Sequence, residues 1–329
     1  MSTVRWLLED DNPSVRYFTL RDLLGRTDDD GDVEEARHAI MLRGAVPLLL
    51  GRQREAGYLA EYRRFYTAKY AGLVWSLIVL AELGAQRNDQ IAEQCEYLFA
   101  NAQELRDGGF AMNTAARTGG GRITEVIPCL TGNLVWALIR FGYIDDPRLL
   151  QAVDWLTTYM RFNDGVETEP QVQPYDRYEI CWGAHTCFMG VVKALKGLGE
   201  IPAPRRTDAV EETIRRSVEF LLIHHVHKRS HDLEKVSKPG WKRFSFPLMY
   251  QTDVLEILDL LTGLGIADAR MDEAVSLVRS KQGTDGRWRM DNTYTTDKLL
   301  IPFEAKGEPS KWITLRALRV LQRYAPVSA

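Results

Sequence analysis

Two cysteines and a histidine have a spacing that suits a metal ion. Cys181 and His185 are four residues apart in the segment Glu179–Cys187, and residues four apart share one face of a helix. Thiolate sulfur and imidazole nitrogen are ligands that Zn²⁺ binds well. Cys129 lies at the start of a neighbouring apolar segment and could supply a third ligand. The spacing indicates a zinc site at Cys129, Cys181 and His185, although two buried thiols beside a hydrogen-bonded histidine would give the same pattern.

Aromatic residues are concentrated near the starts of the same apolar segments. Their rings could line an apolar pocket, and their faces can stabilise a cation. Packing between helices is the alternative use of such rings. The predicted ligand-binding residues are Tyr66, Tyr70, Tyr178, Trp182 and Trp241.

These side chains would be positioned by helices of two kinds that alternate along the chain. Met271, Ala274, Val275 and Val278 form a single apolar stripe, which is typical of a helix with one solvated face. The run 73–80 is apolar nearly all round, so its helix must be enclosed. Six outer and inner pairs follow from this rule: about 2–9 with 13–25, 33–52 with 67–83, 88–104 with 131–142, 147–161 with 180–196, 208–226 with 248–263, and 271–282 with 310–324. Such pairs predict a closed ring of helical hairpins.

A glycine-containing turn recurs between the paired helices. Its clearest copy is Gln282–Trp288, and degenerate copies lie at Gly57–Tyr58, Asp107–Phe110, Asp164–Gly165 and Gly240–Trp241. Asp-Gly permits the positive φ that reverses the chain, and the aromatic residue after it can fold back over the preceding helix end. The turns therefore predict an array of related units.

The segment Gln282–Trp288 resembles the Gln-x-x-Asp-Gly-x-Trp repeat of squalene and oxidosqualene cyclases and of protein prenyltransferase β subunits. The stretch Tyr66–Gly84 is similar to the passage from turn to inner helix in those proteins. The resemblance extends from about residue 34 to 324. It implies an all-α fold, an α/α toroid of about six inner and six outer helices around a central cavity.

The same resemblance implies catalytic roles. Class II cyclases protonate an alkene or epoxide with a carboxylic acid that a dry cavity keeps neutral. This chain lacks their Asp-x-Asp-Asp-Thr sequence, and Asp253 stands at the comparable start of a later inner helix. We predict Asp253, Tyr250 and His185 as catalytic residues of an atypical terpenoid cyclase or prenyltransferase that binds an apolar, isoprenoid-like ligand.

Two other functions remain open. Prenyltransferase β subunits and lanthionine cyclases bind zinc inside such toroids, so the resemblance also implies a zinc-dependent transferase or cyclase that uses Cys129, Cys181 and His185. A toroid that has lost its chemistry could instead be a non-catalytic binding scaffold. Whether the protein is an enzyme is left open by the sequence.

Composition indicates one cytoplasmic domain over residues 1–329. Hydrophobic residues make up 45% of the chain, and no Pro/Ser/Gly-rich linker divides it. A net charge of −3 argues against nucleic acid as a partner. No apolar stretch is long enough to cross a membrane, and the four cysteines lack disulfide spacing. Residues 228–247 lengthen one unit and predict a loop over one mouth of the ring, after a histidine-rich tract that we interpret as a basic helix end.

Overall fold

The computed structural model describes residues 2–53, 63–168, 170–293 and 299–324. The predicted turn at Gly57–Tyr58 lies outside these residues. The described chain is built almost entirely of helices, and its only extended element is one short hairpin.

The α-helices are, in chain order, α1 (Thr3–Leu7), α2 (Pro13–Phe18), α3 (Gly31–Leu42), α4 (Ala45–Arg52), α5 (Leu73–Glu82), α6 (Asp89–Asn101), α7 (Pro128–Arg140), α8 (Pro147–Tyr159), α9 (Glu179–Trp182), α10 (Phe188–Gly199), α11 (Asp208–Ile223), α12 (Val254–Gly263), α13 (Asp272–Ser280) and α14 (Lys311–Arg323). A π-helical turn, Thr19–Leu23, continues α2. The hairpin pairs β1 (Lys228–Arg229) with β2 (Asp232–Val236).

The helices form two layers that differ in burial. Every residue of α5 is buried, as its all-round apolar sequence requires. In α13 the buried residues are those of the predicted stripe, Ala274, Val275 and Val278. The inner layer contains α2, α5, α7, α10, α12 and α14. The outer layer contains α3, α4, α6, α8, α11 and α13, so the α/α toroid predicted from the sequence is confirmed.

Glycines allow two inner helices to approach closely. A Cβ atom on Gly132 of α7 would lie 2.2 Å from the carbonyl oxygen of Lys193 in α10. A Cβ atom on Gly197 would lie 2.6 Å from the carbonyl oxygen of Gly132. Only glycine fits at such a separation, so these two positions fix the α7–α10 contact.

The ring closes between its first and last units. Helix α14 packs against α2, and the hydroxyl of Thr3 donates to the carbonyl of Gly286 at 3.3 Å. Lys311 Nζ binds Glu9 Oε2 at 2.9 Å. The closure thus depends on contacts between residues about 300 positions apart in sequence.

The repeated turns share one pattern of hydrogen bonds. Gly286 has a φ of +76°, and the indole nitrogen of the buried Trp288 donates to the carbonyl of Val278 at 2.7 Å. The Trp288 N–H donates to the hydroxyl of Thr314 at 3.0 Å. Phe110 makes the equivalent bond to Thr131, also at 3.0 Å. These two turns are thereby tied to the inner helices that follow them.

Four predicted helix boundaries were wrong. The predicted inner segment 67–83 is helical only from Leu73 onward. The predicted segment 33–52 is divided into α3 and α4, because Gly44 has a φ of +79° and breaks the helix. The predicted segment 180–196 is divided into α9 and α10, because Gly183 is extended. Cys181 and His185 therefore do not share a helix face. The inner helix predicted to begin near residue 248 is α12, which begins at Val254 and is capped by Asp253.

Candidate functional site

A pocket of about 390 Å³ lies between the hairpin, the start of α10 and the end of α11. We call it the Asp164 pocket because several side chains converge on that carboxylate. Its polar residues include Asp164, His185, Cys187, His224, Ser230 and His231. Its volume is within the range of small-molecule sites.

Local backbone pairing places Asp164 beside His185. The two residues form an antiparallel bridge, and the Gly165 N–H donates to the carbonyl of Ala184 at 2.7 Å. Gly165 has a φ of +82°, and a Cβ atom there would lie 2.8 Å from Cε1 of His185. The Asp-Gly turn therefore both orients the carboxylate and leaves room for the imidazole.

Two histidines face the same carboxylate oxygen. Nδ1 of His185 lies 3.2 Å from Oδ1 of Asp164; since the carboxylate only accepts, His185 donates from Nδ1 and keeps Nε2 as a basic nitrogen. Nε2 of His224 lies 3.4 Å from that oxygen, and its Nδ1 lies 2.7 Å from the carbonyl of Phe220. Both ring nitrogens of His224 therefore face hydrogen-bond acceptors.

The hairpin is tied to the other carboxylate oxygen. The hydroxyl of Ser230 donates to Oδ2 of Asp164. Its oxygen lies 2.9 Å from Nδ1 of His231, which therefore donates to it. Burial by itself would raise the pKa of Asp164, but the Ser230 hydrogen bond and the histidines together hold it below its ordinary value. Asp164 is thus an anion at neutral pH.

Cys187 lies in the same pocket, immediately before α10. A hydrogen bond from the Cys181 thiol lowers the pKa of Cys187 below the ordinary value of a thiol, although burial opposes it. The N–H of Gly190 and the charge of Lys238 act in the same direction as the hydrogen bond. Thiolates are the nucleophilic form of cysteine, so Cys187 has the surroundings of a reactive thiol.

Three aromatic rings, those of Phe188, Phe220 and Trp241, also line the pocket, and we call them the aromatic wall. The ring of Phe188 lies 4.6 Å from that of Trp241 and 5.5 Å from that of Phe220, measured between centroids. All three rings line the Asp164 pocket. The pocket therefore offers an apolar surface and a polar, titratable surface to the same ligand.

The cavity within the ring of inner helices is different in character. It has a volume of about 250 Å³ and lies at the carboxyl ends of the inner helices. Five acidic and five basic side chains line it: Asp22, Glu82, Glu200, Glu256 and Asp259 with Arg140, Lys196, Arg316, Arg319 and Arg323.

Buried ion pairs lie beside this central cavity. Nζ of Lys193, whose side chain is fully buried, is 2.7 Å from both carboxylate oxygens of Glu256. Burial alone would raise the pKa of Glu256, but Lys193 and Lys196 hold it below its ordinary value. Arg316 binds Glu82 at 2.6 Å. The centre of the toroid is thus a charged network.

Asp253, the predicted acid, caps α12. Its Oδ1 accepts the N–H of Glu256 at 2.8 Å, and its Oδ2 accepts the N–H of Ser245 at 2.9 Å. Burial raises the pKa of Asp253 to about 7, in line with the neutral carboxyl that a proton donor needs. Asp253 does not line the central cavity or the Asp164 pocket.

Two of the predicted aromatic or catalytic residues contact a lysine, and a third lies near them. Nζ of Lys69 lies 4.6 Å from the ring centroid of Tyr66 and 4.5 Å from that of Tyr250. The hydroxyl of Tyr70 accepts a hydrogen bond from Gln251 at 2.7 Å. The ring faces of Tyr66 and Tyr250 therefore already bind a cation, the ammonium group of Lys69.

The other predicted residues are dispersed. Tyr178 precedes α9 with a φ of 49°. Trp182 is buried against Tyr175, at 5.3 Å between centroids. Cys129 is buried at the start of α7, whereas the side chain of His185 is 58% exposed. Trp241 and His185 alone among the predicted site residues line the Asp164 pocket.

No group of three or more His, Cys, Asp and Glu residues in the described part of the chain has the geometry of a metal site. Cys129, Cys181 and His185 therefore do not form one here. The helix face that suggested the zinc site does not exist, because α9 ends at Trp182.

Sequence reasoning missed Asp164, Cys187, His224 and Ser230 as site residues. Asp164 was assigned to a structural turn, and His224 to a basic helix end. A signal was present in the run of His224 to His231, since histidines clustered beside a serine in an insertion are typical of a binding or catalytic surface.

Among the described helices, none is long and apolar enough to cross a membrane.

Comparisons with known proteins identify no family for this chain. No protein-family model and no curated protein sequence matches it. One similar solved structure is that of a variant of the type II terpene cyclase MstE from Scytonema in complex with geranylgeranyl dihydroxybenzoate, its substrate. That chain is 14% identical, the match covers 95% of this chain and 87% of that one, and the TM-score is 0.41. The assignment of the α/α toroid rests on the helix packing described above.

Proposed function

We propose that this toroidal protein is an enzyme that uses covalent catalysis in the Asp164 pocket. Cys187 is the nucleophile, His185 is the general base and acid, and Asp164 orients the imidazole. The observation that carries the proposal is the 3.2 Å contact from Nδ1 of His185 to Asp164. This contact leaves the basic Nε2 in the pocket that also contains Cys187.

The backbone supports these roles. His185 and Cys187 are two residues apart in a segment without helix, and side chains two apart in extended backbone project to the same side. The proposed roles of nucleophile, base and orienting carboxylate are those that covalent enzymes combine. Because Asp164 stays ionised, it also stabilises the imidazolium that forms when His185 takes up a proton.

The chemistry suits a thioester or ester. His185 takes the thiol proton of Cys187 at Nε2, the resulting thiolate attacks the carbonyl carbon, the bond to the leaving thiolate or alkoxide breaks, and His185 gives that proton to the leaving group. In the second half, His185 accepts a proton from water, the hydroxide attacks the acyl-enzyme, and the carboxylic acid and Cys187 are released. Each half consumes and returns one proton at Nε2 of His185.

The substrate we propose has an apolar portion. Phe188, Phe220 and Trp241 provide an apolar wall beside Cys187, where an acyl or isoprenoid chain would be removed from water. The cyclase and prenyltransferase functions stay predictions. The charged central cavity does not favour them, because an apolar ligand there would strip water from ten ionisable groups.

The test uses p-nitrophenyl octanoate as an acylating probe. We expect a burst of p-nitrophenolate from the folded protein, with the octanoyl group on Cys187 in peptide maps. Cys187→Ser should abolish the burst, and His185→Asn should slow it by about 10²–10⁴-fold. Cys95→Ser is the matched control, since Cys95 is buried in the outer helix α6 and should leave the burst unchanged.

Two results would oppose the proposal. One is a burst of undiminished rate in Cys187→Ser. The other is acylation of Ser230 or Cys129 in the wild-type protein in place of Cys187. p-Nitrophenyl acetate serves as a second probe, and a rate no lower than that of the octanoate would argue against a role for the aromatic wall.

A further inference from the structure

Cys181 and Cys187 are brought into contact by a reversal of the chain. Helix α9 ends at Trp182, and the N–H of Gly183 donates back to the carbonyl of Glu179 at 2.7 Å. The N–H of Cys187 then donates to the carbonyl of Cys181 at 3.3 Å. The two backbones are therefore adjacent, and each thiol shifts the pKa of the other, that of Cys187 downward and that of Cys181 upward.

The two thiols differ in accessibility and charge. Cys187 lines a pocket that is open to solvent, and its thiolate is stabilised by Cys181 and by N–H groups at the start of α10. Cys181 is 7% exposed, and its hydrogen bond to Cys187, together with burial, raises its pKa. The sulfur of Cys187 is thus the accessible nucleophile, and Cys181 supplies a protonated thiol on the adjacent backbone segment.

We infer that Cys181 and Cys187 form a redox-active dithiol whose substrates are hydroperoxides. The Cys187 thiolate attacks the terminal oxygen of the hydroperoxide, the O–O bond breaks, and the alkoxide takes up a proton to leave as an alcohol. Cys187 is thereby oxidised to a sulfenic acid. The Cys181 thiol attacks that sulfur, the S–O bond breaks, and water leaves with the Cys181 proton.

The product is a Cys181–Cys187 disulfide, and the cycle needs an external reductant. Two molecules of a small thiol return it to the dithiol and leave as their own disulfide. The inference shares Cys187 with the proposed function but does not rest on it, since neither His185 nor Asp164 takes part. While the disulfide is closed, Cys187 has no free sulfur for acyl transfer.

The experiment treats the full chain with hydrogen peroxide and blocks the remaining thiols with N-ethylmaleimide. Non-reducing peptide maps should link Cys181 to Cys187, and Cys187 should be oxidised at least about 10-fold faster than Cys95, as expected for a more ionised thiol. In Cys181→Ser the reaction should stop at a sulfenic acid on Cys187, which dimedone traps. Dithiothreitol should restore both thiols of the wild type.

Two measurements on the wild-type protein separate this inference from the proposed function. A disulfide from Cys181 to Cys187 without an acylation burst would support the inference alone, and a burst without that disulfide would support the proposed function alone. Oxidation of Cys187 no faster than that of Cys95 would overturn the inference, as would a disulfide from Cys187 to Cys129. Both readings come from the wild-type protein, so they hold even where a variant does not fold.

Discussion

Oδ1 of Asp164 lies 3.4 Å from Nε2 of His224, a ring whose other nitrogen is 2.7 Å from a backbone carbonyl. The contact pairs the ionised carboxylate of Asp164, which is partly exposed, with the buried imidazole of His224. The pair joins the turn at Asp164 to the end of α11. The carboxylate should therefore contribute to stability as well as to the chemistry proposed for its pocket.

Asp164→Asn should reduce stability in a pH-dependent way. The folded-state pKa of Asp164 is below 3.8, so its contribution is fully present above about pH 4 and is lost as the pH falls through the folded pKa. We expect a loss of about 1–3 kcal/mol at pH 7 and a smaller loss at pH 3, measured by urea unfolding. Asp145→Asn, at an 80% exposed carboxylate that pairs with Arg205, is the control and should cost less than about 1 kcal/mol at pH 7.

Gly165→Ala should lower the free energy of unfolding by more than the cost of placing alanine at a positive φ, because the new methyl group also clashes with His185. The new Cβ atom would lie 2.8 Å from the His185 ring at a φ of +82°. Gly307→Ala is the matched control, with a φ of +87° and no atom within 4 Å; it should cost only about 1–2 kcal/mol. Equal losses in the two variants, by urea unfolding, would mean that the imidazole does not depend on this glycine.

Trp288→Ala should destabilise the protein by about 3–5 kcal/mol. Its ring is fully buried, and its N–H groups bind Val278 and Thr314. The acylation burst should be unchanged under conditions where the variant is folded, because Trp288 does not line the Asp164 pocket. A normal unfolding midpoint with a lost burst would contradict this purely structural role. Val166→Ala, at a 90% exposed position, is the control.

Lys193→Met should cost about 3–5 kcal/mol, because it removes the ammonium group that binds both oxygens of the buried Glu256 carboxylate and leaves only Lys196, at 3.5 Å. The double variant Lys193→Met with Glu256→Leu should recover most of that loss, since no charge is then unpaired. The exposed pair of Arg215 and Glu212 is the control, and Arg215→Met should cost less than about 1 kcal/mol. Additive losses in the double variant would count against a coupled pair.

Asp253→Asn tests the capping carboxyl. Its folded pKa of about 7 lies above its ordinary 3.8, so the wild type gains stability from this group at low pH and loses that gain as the pH rises from about 4 to 7. The variant cannot ionise, and its amide cannot accept both N–H groups that Asp253 binds. It should therefore be less stable than the wild type at pH 4, with a gap that narrows toward pH 8.

The toroid was predictable because its signals are local. The all-round apolar run that became α5 and the stripe at Ala274, Val275 and Val278 determine which helix lies inside. The Gln282–Trp288 turn likewise has the conformation that its Asp-Gly sequence favours. These features depend on neighbours only a few residues away, so one sequence was sufficient to predict them.

The candidate site was not predictable, because its parts are distant in sequence. Asp164, His185 and Ser230 come from three segments that meet only when the hairpin folds over the start of α10. The charged centre of the ring was missed although its signal is local. Lys193 and Glu256 interrupt apolar helices, and a charged residue inside such a helix indicates that it has a buried partner of opposite charge.

The hydrogen bond from Thr3 to Gly286, which closes the ring, has a consequence for synthesis on the ribosome. Helices α1 and α2 are translated first, but their partners in the last unit lie about 280 to 300 residues later. Loop closure over such a distance precedes any gain from the contact. Until then the face of α2 that packs against the last helix has no partner, and exposed apolar surface of this kind makes a nascent chain prone to aggregation.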